Sequence, residues 1–376
     1  MKKILVLGGT GAMGVSLVEI LSRRGEYELD VTSRKERFSK SDRVRFIQGN
    51  ARDNDFIFPL LKKHYDIIVD FMNYDLDEFE NRCNKMLYST SQYVWFSSCR
   101  VYAYSETPLT EESPRLLEIS KDKDFLATNR YALRKARQED ILKRSGYNNY
   151  TIIRPYITYS DQRLQLGVYE KEHWLYRILK GRDLVINENI LSKTTTLTYG
   201  YDVSMAISKL LDNPKAFGKI VQIASSETMT WEEILRLYLG IINEKTGLKP
   251  KIYLSRTMKA IDELWEGGYN TIYDRVWNRS FDSHLVKQLI GADERIDYKD
   301  MRSGLSECLG SFLEKEDAFL PINWQNEAYQ DILTDQRASD DEFKTNEERA
   351  LYNQYRDTPI SNINGLEPEL KEINLC

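Results

Sequence analysis

The sequence predicts an α/β fold, a parallel sheet doubly wound with helices and followed by a smaller α/β subdomain. Three observations carry this. The apolar run Lys3–Leu7 ends in glycines at Gly8, Gly11 and Gly14, and a helical pattern (Val15, Leu17, Val18, Leu21) starts at once. Short apolar segments then alternate with helical ones through the first half, as in a parallel sheet covered on both faces. The polar residues of chemical interest fall where such strands end, and that is where open parallel sheets bind ligands.

Lys3–Leu7 reads as the first strand and Met13–Arg24 as the first helix. Between them, Gly8 permits a sharp turn, Gly11 lets a ligand approach the backbone, and Gly14 lets helix and strand sit close. Such a turn aims backbone N–H groups and the positive end of a helix at a pyrophosphate. Leu29–Ser33 and Val44–Gln48 read as the next strands, and Asp53 as the cap of a helix reaching Leu61. Asp66–Phe71, Tyr93–Ser97 and Thr151–Arg154 complete the strand series, with a helix over Phe79–Leu87. Later, Trp174–Lys180 and Asp202–Leu211 read as helices, Thr195–Tyr199 and Ile220–Ile223 as strands. Thr230-Trp231-Glu232-Glu233 is a capping box opening a helix through Ile242. Leu285–Leu289 and Met301–Phe312 follow as helices.

This pattern assigns 1–165, with a return of 195–228, to a dinucleotide-binding domain. Residues 166–194 and 229–325 form a substrate-binding subdomain. Residues 326–376, rich in Asp and Glu and poor in apolar residues, form an acidic appendage, partly disordered or draped over the surface.

The 376 residues are 41% hydrophobic and 30% charged, ordinary for a globular protein. A net charge of −5 supplies no electrostatic reason to bind nucleic acid or an anionic membrane. Cys83, Cys99, Cys308 and Cys376 lie far apart, which suggests neither a disulfide framework nor a zinc knuckle and points to a reducing, cytoplasmic setting. The three histidines lack metal-ligand spacing, so no metal is expected. The first apolar run is too short for a signal peptide, and no run is long enough to span a bilayer.

Three further features join the glycine turn. Tyr131 and Lys135, four residues apart, share a helix face. An ammonium beside a phenol favours the phenolate, which then exchanges a proton with a substrate hydroxyl or carbonyl. Ser97 and Ser98 follow a buried strand, where a hydroxyl can bond the reacting oxygen. Val31-Thr32-Ser33-Arg34-Lys35 ends the second strand without an acid at Thr32 or Ser33. An acid there accepts from the ribose 2′-hydroxyl of NAD, whereas an arginine accommodates the 2′-phosphate of NADP, so the preference read here is NADP. Asp30 lies earlier in the strand, and a shift of register would restore NAD.

Together these pieces resemble the extended short-chain dehydrogenase/reductase family, the epimerase/dehydratase branch with a Rossmann-type domain acting mainly on nucleotide sugars. The likeness covers roughly residues 1–315. Besides the motifs above it rests on Gly49-Asn50-Ala51-Arg52-Asp53, Val101-Tyr102, Ile153-Arg154-Pro155, Thr198-Tyr199-Gly200-Tyr201-Asp202-Val203, and Phe281-Asp282-Ser283 through Leu289-Ile290-Gly291. It implies a catalytic set of Ser98, Tyr131 and Lys135, with Tyr131 as acid/base and Lys135 lowering its pKa and holding the nicotinamide ribose. Ser98 stands four before Tyr102, as the family's catalytic hydroxyl does. The resemblance places the dinucleotide against Gly8, Thr10, Gly11, Ala12, Met13 and Gly14 in the first turn, and against Ser33 and Arg34 after the second strand. Asn50 and Ala51, Phe71 and Met72, and Pro155 complete that surface with Tyr131 and Lys135. Asn73, Arg100 and Tyr156 are assigned to the substrate. Asn50 replaces the adenine-contacting Asp of many members. Val69-Asp70-Phe71-Met72-Asn73 replaces the usual small-residue strand end, a departure closer to an atypical subgroup that also resembles plastid RNA-binding relatives.

Sugar-nucleotide dehydratases carry an Asp-Glu pair directly after the catalytic hydroxyl. Here those positions are Cys99 and Arg100, so elimination of water lacks its acid and base. The reading is an NAD(P)-dependent epimerase or ketoreductase of a nucleotide sugar, and the resemblance implies a homodimer paired through the Tyr131 helix and its neighbour. The alternative from another class is a non-catalytic NADP-binding scaffold, or an RNA-binding or regulatory protein of the same fold.

Overall fold

The computed structural model describes residues 1–291, 296–315, 319–366 and 369–374; Cys376 lies outside the described residues. The chain divides into two units. The first comprises 1–160, 196–227 and 280–301, the second 161–195, 228–279 and 302–376.

The first unit is built on seven parallel strands: β1 (Lys2–Leu7), β2 (Tyr27–Ser33), β3 (Val44–Gln48), β4 (Tyr65–Asp70), β5 (Thr90–Phe96), β6 (Tyr150–Pro155) and Lys219–Ile223. From one edge to the other they run Lys219–Ile223, β6, β5, β4, β1, β2, β3. The order reverses at β1, beside the first glycine turn. α1 (Ala12–Arg24), α2 (Asn54–Leu61) and α3 (Leu76–Tyr88) follow their strands. Two single turns, α4 (Leu116–Ile119) and α5 (Lys123–Leu126), precede α6 (Tyr131–Arg144). Apolar side chains alternate between the faces of the sheet. Ile4, Val6, Val31, Val69, Val94 and Ile153 pack on one side with α1 and the helix Gly200–Leu210. Leu5, Leu7, Ile68, Tyr93, Trp95 and Ile152 pack on the other with α2 and α3. Two fully covered faces explain the nearly continuous apolar strands.

Asp53 caps α2 by accepting from the Asp55 N–H, and Thr230 and Glu233 form the expected capping box. Thr195–Tyr199 differs from expectation. It is two separate two-residue strands, Thr194–Thr195 pairing with Met229–Thr230 and Thr198–Tyr199 with Thr158–Tyr159. The stretch is where the chain passes from one unit to the other. Ser280–Met301, read as substrate-binding, belongs to the first unit. There the Ser283 hydroxyl donates to the Ala224 carbonyl and accepts the Ala224 N–H.

In the second unit a strand at Leu184–Asn187 runs parallel to Ile252–Ser255, which Leu370–Ile373 joins antiparallel. The acidic appendage is a correction. Trp324–Thr334 and Asn346–Arg356 are helices, and Trp324, Ala328 and Tyr352 form an apolar cluster with Tyr176. Three of its acids, Glu327, Asp331 and Glu342, are buried against α7 (Lys171–Leu179) and the residues after it, while others such as Asp335 and Asp340 stay exposed. Arg177 bonds Glu327 at 3.0 Å and Asp331 at 2.8 Å, while Arg182 bonds Asp331 and Glu342, each at 2.8 Å. Tyr352 donates to Asp331 at 2.6 Å. A polar composition reads as disorder when its charges stay in water; here three of the acids are neutralised inside. Among the described residues no helix is long and apolar enough to cross a membrane.

Candidate active site

The first turn is a cradle open on one side. Gly8 has φ +72°, a value side chains rarely adopt, and its carbonyl accepts the Gly11 N–H at 3.1 Å. A Cβ on Gly14 would stand 2.6 Å from the Gly9 Cα, so helix and turn touch backbone to backbone. A Cβ on Gly11 would meet only the Gly8 carbonyl, at 3.5 Å. Gly11 caps α1, whose first turn holds no acid. An open glycine at an acid-free helix N-terminus fits a pyrophosphate. Gly11→Leu should therefore keep the thermal midpoint and weaken dinucleotide binding at least about tenfold, the worth of one charge-assisted hydrogen bond. Fluorescence titration with NADPH and NADH measures this.

The other expected cofactor positions border this turn or the neighbouring strand ends. Thr10 is half-buried, and the Met13 carbonyl accepts from the Ser204 hydroxyl; the Ala12 side chain lies outside the described residues. Gly8 abuts β4: a Cβ there would come 3.0 Å from the Met72 sulfur and 3.4 Å from the Phe71 Cβ. The Phe71 ring stacks on Phe96 at 4.2 Å. The Ser33 carbonyl accepts the Gly49 N–H, joining the ends of β2 and β3, and the Ser33 hydroxyl donates to the Lys35 carbonyl. Arg34 is exposed beside it. Asn50 folds onto its own turn, accepting the Arg52 N–H, and the Ala51 side chain is buried among α2 and α3. Asp30 stays in mid-strand, held by Arg45 at 2.8 Å and by the Tyr65 hydroxyl. The register shift that would bring it to the strand end does not occur.

Three residues converge around α6. Tyr131 is its first residue, and Lys135 follows one turn later, its Nζ 5.9 Å from the Tyr131 ring centre. The Arg100 guanidinium lies 4.9 Å from the same ring centre. Ser98 joins them through the backbone: its Oγ accepts the Arg100 N–H and caps the short turn Cys99–Val101. Ser97 points elsewhere, donating into the protein to Glu139. The Cys99 thiol donates to the Arg154 carbonyl. Lys135 is buried, its Nζ donating to the Phe96 carbonyl at 2.7 Å and lying 4.5 Å from the Trp95 ring centre. Burial lowers its pKa to about 7. Pro155 ends β6 in a buried position. Tyr156 is also buried, packed against Phe281, whereas Asn73 is exposed.

Sequence reasoning missed the support beneath this group. Glu139, four residues after Lys135, accepts from Arg154 on β6 at 2.7 Å and from Arg115 at 2.9 Å, as well as from Ser97. Burial would push the Glu139 carboxyl up, but the Arg154 and Arg115 guanidiniums and the Ser97 hydroxyl hold it below the usual glutamate value. The spacing Tyr131, Lys135, Glu139 marks one helix face and was a signal available in the sequence.

The solved structures this chain resembles include an enzyme bound to NAD+ and an epimerase bound to a nucleotide sugar. WbmH from Bordetella bronchiseptica, in complex with NAD+, is 15% identical with a TM-score of 0.60, the match covering 84% of this chain and 99% of that one. UDP-N-acetylglucosamine 4-epimerase from Methanobrevibacter ruminantium M1, in complex with UDP-N-acetylmuramic acid, is 15% identical with a TM-score of 0.62 and the same coverage. At such identities the likeness shows the fold. Among curated proteins, the chloroplast stem-loop binding protein of 41 kDa b from Arabidopsis thaliana is 25% identical over 249 residues, 62% of this chain and 62% of that protein. The chain thus spans under two thirds of that relative's length. A family model described as NAD dependent epimerase/dehydratase matches residues 4–224, more than half of the chain and every strand of the seven-stranded sheet. The chain belongs to the NAD dependent epimerase/dehydratase family.

Proposed function

We propose that the protein is a nucleotide-sugar epimerase or ketoreductase in which Tyr131 is the acid/base. The observation that carries this reading is the grouping of Tyr131, Lys135 and Arg100, with Ser98 tied to Arg100, in the same unit as the glycine cradle. A bound nicotinamide supplies reversible hydride transfer. The Tyr131 Oη takes the proton of a sugar hydroxyl, or returns one to a carbonyl oxygen. Ser98 hydrogen-bonds that oxygen, and Lys135 holds the phenolate and the dinucleotide ribose. Arg100 faces a phosphate or carboxylate of the substrate. Asn73 and Tyr156 belong to the same substrate side. Arg34, exposed after β2, is the partner for a 2′-phosphate, and Asp30 is engaged by Arg45 and Tyr65. Both favour NADP.

A second reading has one observation in its favour, the likeness to a protein named for stem-loop binding. It is a non-catalytic or RNA-binding use of the fold, against which the net charge of −5 weighs. One experiment separates the two. Purified protein is mixed with NADPH or NADH and a panel of UDP-, GDP- and dTDP-sugars, and in parallel with an RNA hairpin. Tighter binding of NADPH and a change of nicotinamide absorbance or of sugar configuration are expected. RNA binding with no dinucleotide binding would overturn the enzyme reading.

A further inference from the structure

β4 ends in Asp70, where the family resemblance leads one to expect no carboxylate. Asp70 is fully buried. In the sheet it stands opposite Trp95 on β5, and Lys135 lies over the Trp95 ring. Asp70 and Lys135 therefore occupy the same face of the sheet, one strand apart, closed off from water. The carboxylate has been supplied with donors. Tyr93 donates at 2.8 Å, Tyr74 at 3.1 Å and the Met72 N–H at 3.0 Å. Three donors converge on one carboxyl group and favour its ionised form against the cost of burial.

We propose that Asp70 is a positioning residue for Lys135, the buried counter-charge that keeps the catalytic ammonium charged inside the fold. The inference rests on the reading of Lys135 given above. A buried ammonium needs an opposite charge or it sheds its proton. The groups facing Lys135 are Asp70 on β4, and Glu139, Arg134 and Tyr131 on α6. Arg134 opposes the ammonium, and Glu139 is already matched by two guanidiniums. That leaves Asp70 as the acid whose charge bears most on Lys135. Around Asp70 itself, burial outweighs the Met72 N–H, Tyr93, Tyr74 and Arg82, which work in the opposite direction, and leaves the carboxyl above its usual range. Arg82 is set back, 4.2 Å from the Tyr74 ring centre, and is bonded to the carbonyls of Ala51 and Arg52.

The sign follows directly. Removing a negative charge near Lys135 favours its neutral form, so its pKa falls below about 7. The test needs neither substrate nor turnover. Lysine carrying carbon-13 at the ε-methylene is incorporated into the full chain, and the resonance absent from Lys135→Met is followed against pH. In Asp70→Asn its titration midpoint should fall by about one unit or more, roughly a tenfold smaller ratio of ammonium to amine. Tyr93→Phe, which removes one donor from the carboxylate and leaves the backbone alone, should move the midpoint the same way by less, and it serves if Asp70→Asn does not fold. A midpoint unmoved in the folded variant overturns the proposal. Because the readout is the lysine itself, a failure of the catalytic reading shows separately, as undiminished turnover in Tyr131→Phe.

Discussion

Tyr131→Phe should lower turnover about a hundred- to ten-thousand-fold, the usual worth of a positioned acid/base, and leave the fold unchanged. The substitution removes one oxygen at the first residue of α6. The ring that Arg100 lies against is kept, and so is the helix register that carries Lys135 and Glu139. The loss should therefore fall on kcat, with dinucleotide affinity nearly constant. Steady-state kinetics on whichever sugar nucleotide responds, alongside circular dichroism and a thermal scan, measures both halves. Turnover at the level of the parent protein would refute the acid/base assignment; a collapsed fold would instead show that the hydroxyl is structural.

The second large effect is on stability. Glu139→Ala strands Arg154 and Arg115 beside a buried position, and removing one partner of such a group costs about 3–5 kcal/mol. Denaturant unfolding should show a loss of that order, and a change under about 1 kcal/mol would mean that water or another acid compensates. The pH dependence has a definite sign. The folded value of Glu139 lies below its ordinary 4.5, so its contribution is present above that value and is lost as pH falls through the depressed one. In Glu139→Ala that part of the acid sensitivity disappears, and the two stability curves converge at low pH.

What was legible in the sequence was local. The glycine turn, the Thr230 capping box and the Tyr131–Lys135 pair all lie within a few residues, and helix or turn geometry alone decides which atoms meet. The parallel sheet covered on both faces followed from the alternation of apolar strands with helical segments, whereas the strand order, with β1 between β4 and β2, had no local signal. What stayed hidden depends on partners far away in the chain. The sequence leaves Asp30 open as a ribose acceptor, and its partners Arg45 and Tyr65 come from β3 and β4. Glu139 meets arginines from two other segments. Asp70 accepts from Tyr93 on the next strand, and Lys135, which it is proposed to serve, stands 65 positions later by their numbers. The tail misled for the same reason: Asp331 meets Arg177 across 154 positions, which no window of the sequence contains.

That last arrangement changes how the protein's acidity should be understood. Glu327, Asp331 and Glu342 enter the formal tally of −5, yet they face Arg177 and Arg182 rather than the surrounding ions. Added salt, which weakens attraction between surface charges, reaches this knot poorly. Its evolutionary freedom is correspondingly narrow. An acid in the last fifty residues and an arginine near position 180 can change only in concert, so the two stretches should drift as one unit of inheritance despite the distance that separates them along the gene.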